Sequence, residues 1–316
     1  MENKLTVSSS PHIRSNAATH KLMLDVIIAL IPASLAGIYF FGVSALAVIV
    51  VCMTSCIGFE YLSRVILLKR NNTVPDLSAA VTGLLLALNL PPSIPLWIAI
   101  VGSFFAIVVI KQLFGGLGQN FINPALGARA FLLIAYGPRM TNWTAPFAQV
   151  DAVSAATPLA ALKEGGTLPN IMDMLLGNIG GCIGETSAIA LIIGGIYLLV
   201  RRVISWEIPV IYIATVGLFS WILGPEGLLT GNPLFHVLAG GLMLGAFFMA
   251  TDYTTSPMSG KGIIIYAVGC GILTMLFRLY TNMPEGVSFA ILFMNVATPL
   301  IDRYTVPKRF GGGAHV

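Results

Sequence analysis

Asp151, Ser154 and Thr157 stand in a run of small residues, Asp151-Ala152-Val153-Ser154-Ala155-Ala156-Thr157-Pro158-Leu159, inside a chain that is otherwise mostly apolar. An acid and two hydroxyls at this spacing have no packing rationale, but they could do chemistry at a hydroxyl. Thr157 precedes Pro158 and Leu159-Ala160-Ala161-Leu162. That pattern predicts a helix start, with Ser154 or Thr157 as the cap and proline at the first helical position. A helix N-terminus favours phosphate through its free amides and its dipole. A hydroxyl there is well placed to carry a phosphoester, and the small Ala155 and Ala156 would let a transferase approach the backbone.

The elements that must position this segment are membrane spans. The chain has 316 residues, of which 56% are hydrophobic and 9% charged, whereas a soluble domain carries about a quarter charged residues. Its net charge of +4 does not point to nucleic acid, because basic residues in membrane proteins mark the cytoplasmic side. The first twenty residues are polar and the first apolar run is a full span, so no cleavable signal peptide is expected. A helical span needs about 20 apolar residues. Clear spans are predicted at 22–41, 44–62, 96–114, 183–200, 208–223 and 262–280. Shorter or interrupted ones are predicted at 77–90, 122–137, 235–251 and 286–301. The expected fold is an all-α polytopic membrane protein with ten transmembrane helices.

Basic residues orient these spans. With the N-terminus inside, every lysine and arginine falls at a cytoplasmic end except Arg139, Lys163 and Arg278, which fall outside, and Arg129, which lies within a span. Both termini are then cytoplasmic. The long segment 138–182 is extracytoplasmic. It includes Leu168–Leu176, which reads as a short interfacial helix.

Ten spans divide into five plus five, and an odd number per half inverts the second half. Short echoes recur in order: Ile28–Ile31 with Ile189–Ile192, Gly83–Leu86 with Gly241–Leu244, and Asn123-Pro124-Ala125 with Asn295–Pro299. The expected divisions are 1–137 for the first repeat, 138–182 for the loop and 183–316 for the second repeat. The four short segments are third and fifth in each half, a pairing that marks the midplane site of inverted-repeat proteins. Asn89-Leu90-Pro91-Pro92-Ser93 stops a helix, since proline lacks the amide hydrogen. Thr251–Pro257 occupies the matching place. Freed backbone groups must face protein, ligand or water.

Arg129, inside the fifth segment, is expected to face the bundle interior and to be paired. It would contact a bound carbonyl or close the helix break. Asp252 is either an ion-pathway carboxylate or a cap for its break. Glu185 reads as a helix-start acid favoured by the dipole. Asp25 and His236 read as satisfied interfacial residues. Cys52 and Cys56 share a helix face and read as small core residues. The glycine-dense stretch Gly177–Gly184 follows no strand and is not a dinucleotide fingerprint. Its glycines suit close approach.

The segment Asp151–Thr157 resembles the signal recognised by ApbE-type flavin transferases, which runs acid, small, any, Ser or Thr, small, small, Thr. It departs in having Ala152 and Ala155 where glycine is commoner. The likeness extends over nearly the whole chain. Asn123–Phe131, Gly184-Glu185-Thr186-Ser187, Ala250–Pro257 and Ser10-Pro11-His12 resemble segments of the RnfD family, membrane components of the Rnf electron transport complex. That family is related to NqrB of the sodium-pumping NADH:quinone reductase. The short N-terminus and Pro158 favour the former. The resemblance implies a urea-transporter-like fold with covalent FMN on Thr157 through a phosphoester. It also implies membership of a six-subunit complex in the cell inner membrane. Such a complex moves electrons between ferredoxin and NAD and couples them to Na⁺ or H⁺ movement. A second, non-covalent flavin is left open. Partner subunits would have to oxidise the soluble donor and reduce NAD. The competing reading is a passive solute channel or carrier of the same architecture.

Overall fold

The computed structural model describes residues 18–69, 72–147, 156–166, 168–224, 227–281 and 286–306. Asp151 and Ser154 lie outside them, as do Lys4, Ser10-Pro11-His12, Arg14, Arg70, Lys308 and Arg309.

The described chain is almost wholly helical. The order is α1 (Thr19–Phe41), α2 (Val43–Tyr61), α3 (Ser78–Leu88), α4 (Leu96–Phe104), α5 (Pro124–Ala135), α6 (Gly137–Met140), α7 (Pro158–Glu164), α8 (Ile171–Leu176), α9 (Ala188–Val200) and α10 (Glu207–Ile222). A two-residue antiparallel hairpin follows, β1 (Leu223–Gly224) with β2 (Gly227–Leu228), the one departure from an all-α chain among the described residues. Then come α11 (Pro233–Leu238), α12 (Leu242–Leu244), α13 (Gly260–Tyr280) and α14 (Val287–Thr305). Three helices end in a π-helical stretch: α2 runs into Leu62–Leu67, α4 into Phe105–Gln112 and α12 into Gly245–Met249. Such widened turns are uncommon and cluster at functional sites.

Among the described residues, three helices are long and apolar enough to cross a membrane: Thr19–Phe41, Val43–Leu67 and Gly260–Tyr280. Their surfaces fit that role. On α1, Leu24, Ile28, Ile31, Leu35 and Tyr39 are exposed at helical spacing, while Asp25, Ala29, Ala33 and Gly37 are buried. Large apolar groups therefore face outward and small ones face the neighbouring helix. That is the arrangement lipid demands, because helices attract one another there by close packing rather than by hydrophobic exclusion. On α14, Phe293, Val296, Leu300 and Tyr304 form a similar outward stripe. One large core joins α1–α5 with α9–α14. Within it α2 packs on α3 and α4, α10 on α11 and α13, and α13 on α14; α1 packs on α9 and α5 on α14.

One expected boundary is corrected. The sixth span begins at Ala188 rather than 183, with the Ser187 hydroxyl accepting from Ala190 N. Residues 182–187 instead form a non-helical strap beside the end of α3. Ile183 N donates to Leu90 O at 3.1 Å and Gly184 N to Leu88 O at 2.8 Å. Gly184 N thereby takes up the Leu88 carbonyl, which Pro92 leaves without a helical donor. Only glycine fits at 184, where a Cβ would lie 2.6 Å from Leu88 Cβ. The eighth segment, expected to be short or interrupted over 235–251, stops at Leu238 and resumes at Leu242. Gly240 and Gly241 make this break with φ of +63° and +66°, a left-handed conformation that glycine adopts without strain.

Candidate functional site

Thr157 has extended backbone and caps α7: its Oγ1 accepts from Ala160 N at 3.2 Å and its carbonyl from Ala161 N at 2.9 Å. Pro158 occupies the first helical position, as the local sequence requires. Gly165 ends the helix in a left-handed turn. Thr157 is only 4% exposed. The reason lies in the apolar face of α7. Leu159 packs with Met174 of α8, Ile179, and Phe235 and Ala239 at the α11–α12 break. From the other side Lys163 donates to the Thr281 carbonyl, and partial desolvation lowers its ammonium below the ordinary lysine value. The helix is thus seated on the second half of the chain. The Thr157 hydroxyl is engaged only as an acceptor among the described residues.

Beneath this helix lies a polar network that joins the two breaks. Arg129 of α5 is buried and donates from Nη1 to Asn89 Oδ1 at 2.8 Å. The same nitrogen pairs with Glu185 Oε1 at 3.4 Å, and Nη2 donates to Cys182 Sγ at 3.4 Å. Cys182 in turn donates to the Asn89 carbonyl at 3.2 Å, and Asn89 Nδ2 to Leu85 O at 2.7 Å. Arg129 therefore faces the interior, paired, as a charge inside an apolar bundle must be. Glu185 does not cap α9, since that role falls to Ser187. Its carboxylate is the Arg129 partner and also lies where a Cβ on Gly241 would fall. The strap brings it there, which no local reading of a helix start would reveal.

Two further cations are buried at helix ends. Lys111, in the π-helical end of α4, sits 3.0 Å from Glu60 Oε2 and donates to Ser78 Oγ at 2.7 Å. Both partners of the pair are buried. Arg278, in the last turn of α13, donates from Nη1 to His236 O at 2.5 Å and from Nη2 to Ala239 O at 2.7 Å and Gly240 O at 3.3 Å. It satisfies the carbonyls that the α11–α12 break exposes. His236 is not satisfied as expected, because its buried Nδ1 has no partner among the described residues. Asp25 is: it accepts from Tyr197 Oη at 2.9 Å and pairs with Arg201 at 3.2 Å.

Asp252 is the cap of its break. Its carboxylate accepts from Thr254 N, Thr254 Oγ1 and Thr255 Oγ1 at 3.1 to 3.4 Å. It also lines a cavity of about 90 Å³ shared with Lys111, Asn120, Asn123, Thr82 and Thr251, at the junction of α1, α3, α5, α9 and the end of α12. Cys52 and Cys56 are buried on α2 among its packing neighbours. Sequence reasoning missed Asn89, Cys182 and Arg278 as members of the interior network. Arg278 alone carries a signal, being a basic residue on the wrong side of the orientation pattern.

The chain matches the model of the NQR2, RnfD, RnfE family over residues 6–311. Three relatives, each the subunit lettered D in its own complex, match it from end to end. It is 53% identical to that of the Na⁺-translocating ferredoxin:NAD⁺ oxidoreductase complex of Acetobacterium woodii, over 98% of this chain and 96% of that one. It is 46% identical to that of the proton-translocating ferredoxin:NAD⁺ oxidoreductase complex of Clostridium ljungdahlii, over 98% and 97%. It is 34% identical to that of the ion-translocating oxidoreductase complex of Escherichia fergusonii, over 96% and 98%. With end-to-end identity at this level and a family match across almost its full length, this membrane protein belongs to the NQR2, RnfD, RnfE family.

Proposed function

We propose that the chain is the membrane flavoprotein subunit of an ion-translocating ferredoxin:NAD⁺ oxidoreductase complex, with FMN joined to Thr157 by a phosphoester. The observation that carries this reading is the end-to-end likeness to relatives named as members of such complexes. The residues at Thr157 fit the group. A threonine hydroxyl is the acceptor a phosphoester needs, and it sits at the start of a short helix, bonded among the described residues only as an acceptor. Its 4% exposure adds a condition: an ApbE-type transferase must reach it before α7 packs onto the break. When bound, FMN would supply electron transfer. Thr157 would hold it, Leu159 and Lys163 would fix the helix beneath it, and Arg129 would offer positive charge from the interior.

The architecture we propose is ten membrane-crossing segments in two inverted halves, α1–α5 and α9–α14, of urea-transporter type. Equivalent packing in the two halves supports it. The second helix meets the third and fourth in each, and the fourth meets the fifth. Contacts between halves join equivalent partners, α1 with α9 and α5 with α14, as a pseudo-twofold axis requires. The cytoplasmic bias of lysine and arginine supports cytoplasmic termini in the inner membrane and an extracytoplasmic 138–182 loop. The cavity beside Asp252 has room for several waters, which suits a path for Na⁺ or H⁺ rather than a second flavin. Electron entry and exit through ferredoxin and NAD fall to other subunits, six in all.

Flavin fluorescence in a denaturing gel tests the central claim. Protein co-expressed with the transferase should glow under ultraviolet light, and Thr157→Ala should abolish the signal. Fluorescence that survives Thr157→Ala sinks the site; none in the wild type favours the passive channel.

A further inference from the structure

Arg278 presents an imbalance that its hydrogen bonds do not remove. It is 2% exposed. Its Nη atoms are committed to three carbonyls, but Nε has no partner, and among the described residues no carboxylate lies within 4 Å. The closest acid in the network, Glu185, is held by Arg129. By contrast Lys111, at the end of α4, has Glu60 at 3.0 Å. Carbonyls satisfy the donors of a guanidinium but leave its net charge, and a buried charge without a counter-charge is costly. A second orphaned polar atom, His236 Nδ1, lies on the turn whose carbonyl Arg278 holds.

The place of this cation is specific. A Cβ on Gly240 would lie 3.2 Å from Arg278 Nη2 and would also run into Leu159. Arg278 and α7 therefore meet across a single glycine, two residues from Thr157. We propose that Arg278 is the counter-charge for the phosphoester carried on Thr157. This rests on the flavin reading above. A monophosphate esterified to a threonine is a diester with one negative charge at neutral pH, which matches a positive charge that has no counter-charge among the described residues. Arg278 thus acts as a positioning residue: it draws the ester toward the α11–α12 break and locks α7 to α13 once the flavin is attached. Gly240 allows this by keeping the space between them free of a side chain.

The test uses the full chain, co-expressed with the transferase, with in-gel fluorescence and thermal midpoint as separate readouts. Wild type co-expressed with the transferase should melt higher than wild type made without it, and the difference is the stabilisation given by the attached ester. In Arg278→Gln most of that difference should vanish, whereas Arg278→Lys, which keeps the charge, should retain it. An undiminished difference in Arg278→Gln overturns the proposal and leaves Arg278 as a cap for carbonyls alone. Should Arg278→Gln fail to fold, Arg278→Lys decides: loss of the difference there shows that charge is not what the ester requires. Fluorescence keeps the two claims apart. A fluorescent wild type with no Arg278 dependence refutes only the counter-charge, while a dark wild type removes the ester and the counter-charge together.

Discussion

The Lys111–Glu60 pair offers a sharp energetic test of the bundle. Both side chains are buried, at 2% and 1% exposure, with Nζ and Oε2 3.0 Å apart. Oε2 is not reached along a hydrogen-bonding direction, so the pair is held by charge more than by a linear bond. Glu60 Oε1 accepts from Thr73 at 2.6 Å, and Lys111 has Ser78. Replacing Glu60 with Gln keeps shape and the Thr73 contact but leaves a buried ammonium with only a hydroxyl. Removing one partner of a buried pair costs roughly 3–5 kcal/mol. Lys111→Met should cost a similar amount for the converse reason. The double variant has no charge left to bury, so it should be destabilised by less than the sum, with a coupling of roughly 0.5–3 kcal/mol. Unfolding in mixed micelles of mild detergent and dodecyl sulfate, followed by tryptophan fluorescence, would give these differences. If Glu60→Gln unfolds within about 1 kcal/mol of wild type, as an exposed pair would, or if the two single effects simply add, the pair is not the buried charge lock described here.

Other outcomes follow from the same geometry. Asp25→Asn should cost less than about 1 kcal/mol in that assay, because the Arg201 side chain is 55% exposed and Asn can still accept from Tyr197. Gly184→Val should destabilise by roughly 1–3 kcal/mol, since the added carbons collide with Leu88 Cβ and with the carbonyl that Gly184 N bonds; a neutral result would mean the strap is not packed against α3. In the intact complex, reconstituted in vesicles, Asp252→Asn should reduce cation uptake per electron transferred, and unchanged uptake removes Asp252 from the ion path.

Much of this fold is legible in sequence because lipid imposes a simple code. Apolar runs mark α1, α2 and α13 to within a few residues, and Pro91-Pro92 announces the end of α3. The α11–α12 break is nearly silent, because Val237-Leu238-Ala239 and Leu242-Met243-Leu244 flank it with unbroken hydrophobicity; Gly240-Gly241 is its one mark. The strap is hidden for the same reason, Ile183 merging with the apolar helix that follows. At the site, Thr157 and Pro158 are read locally because capping is a local interaction. The Arg129–Glu185 pair spans 56 residues and depends on a hydrogen bond between the strap and α3, so nothing in the neighbourhood of either residue foretells it. The π-helical ends are likewise set by packing rather than by propensity.

The strap also limits how the molecule can move. Proteins built from inverted halves commonly work by rocking one half against the other around a central site. Here the chain leading into the second half is stitched by Ile183 N and Gly184 N to the end of α3 in the first, and Glu185 is anchored to Arg129 beside it. Rocking at that edge would have to break two backbone bonds and a buried ion pair together. That edge is therefore pinned rather than gated, a rigidity that suits fixed points of contact better than swinging a solute from one side to the other.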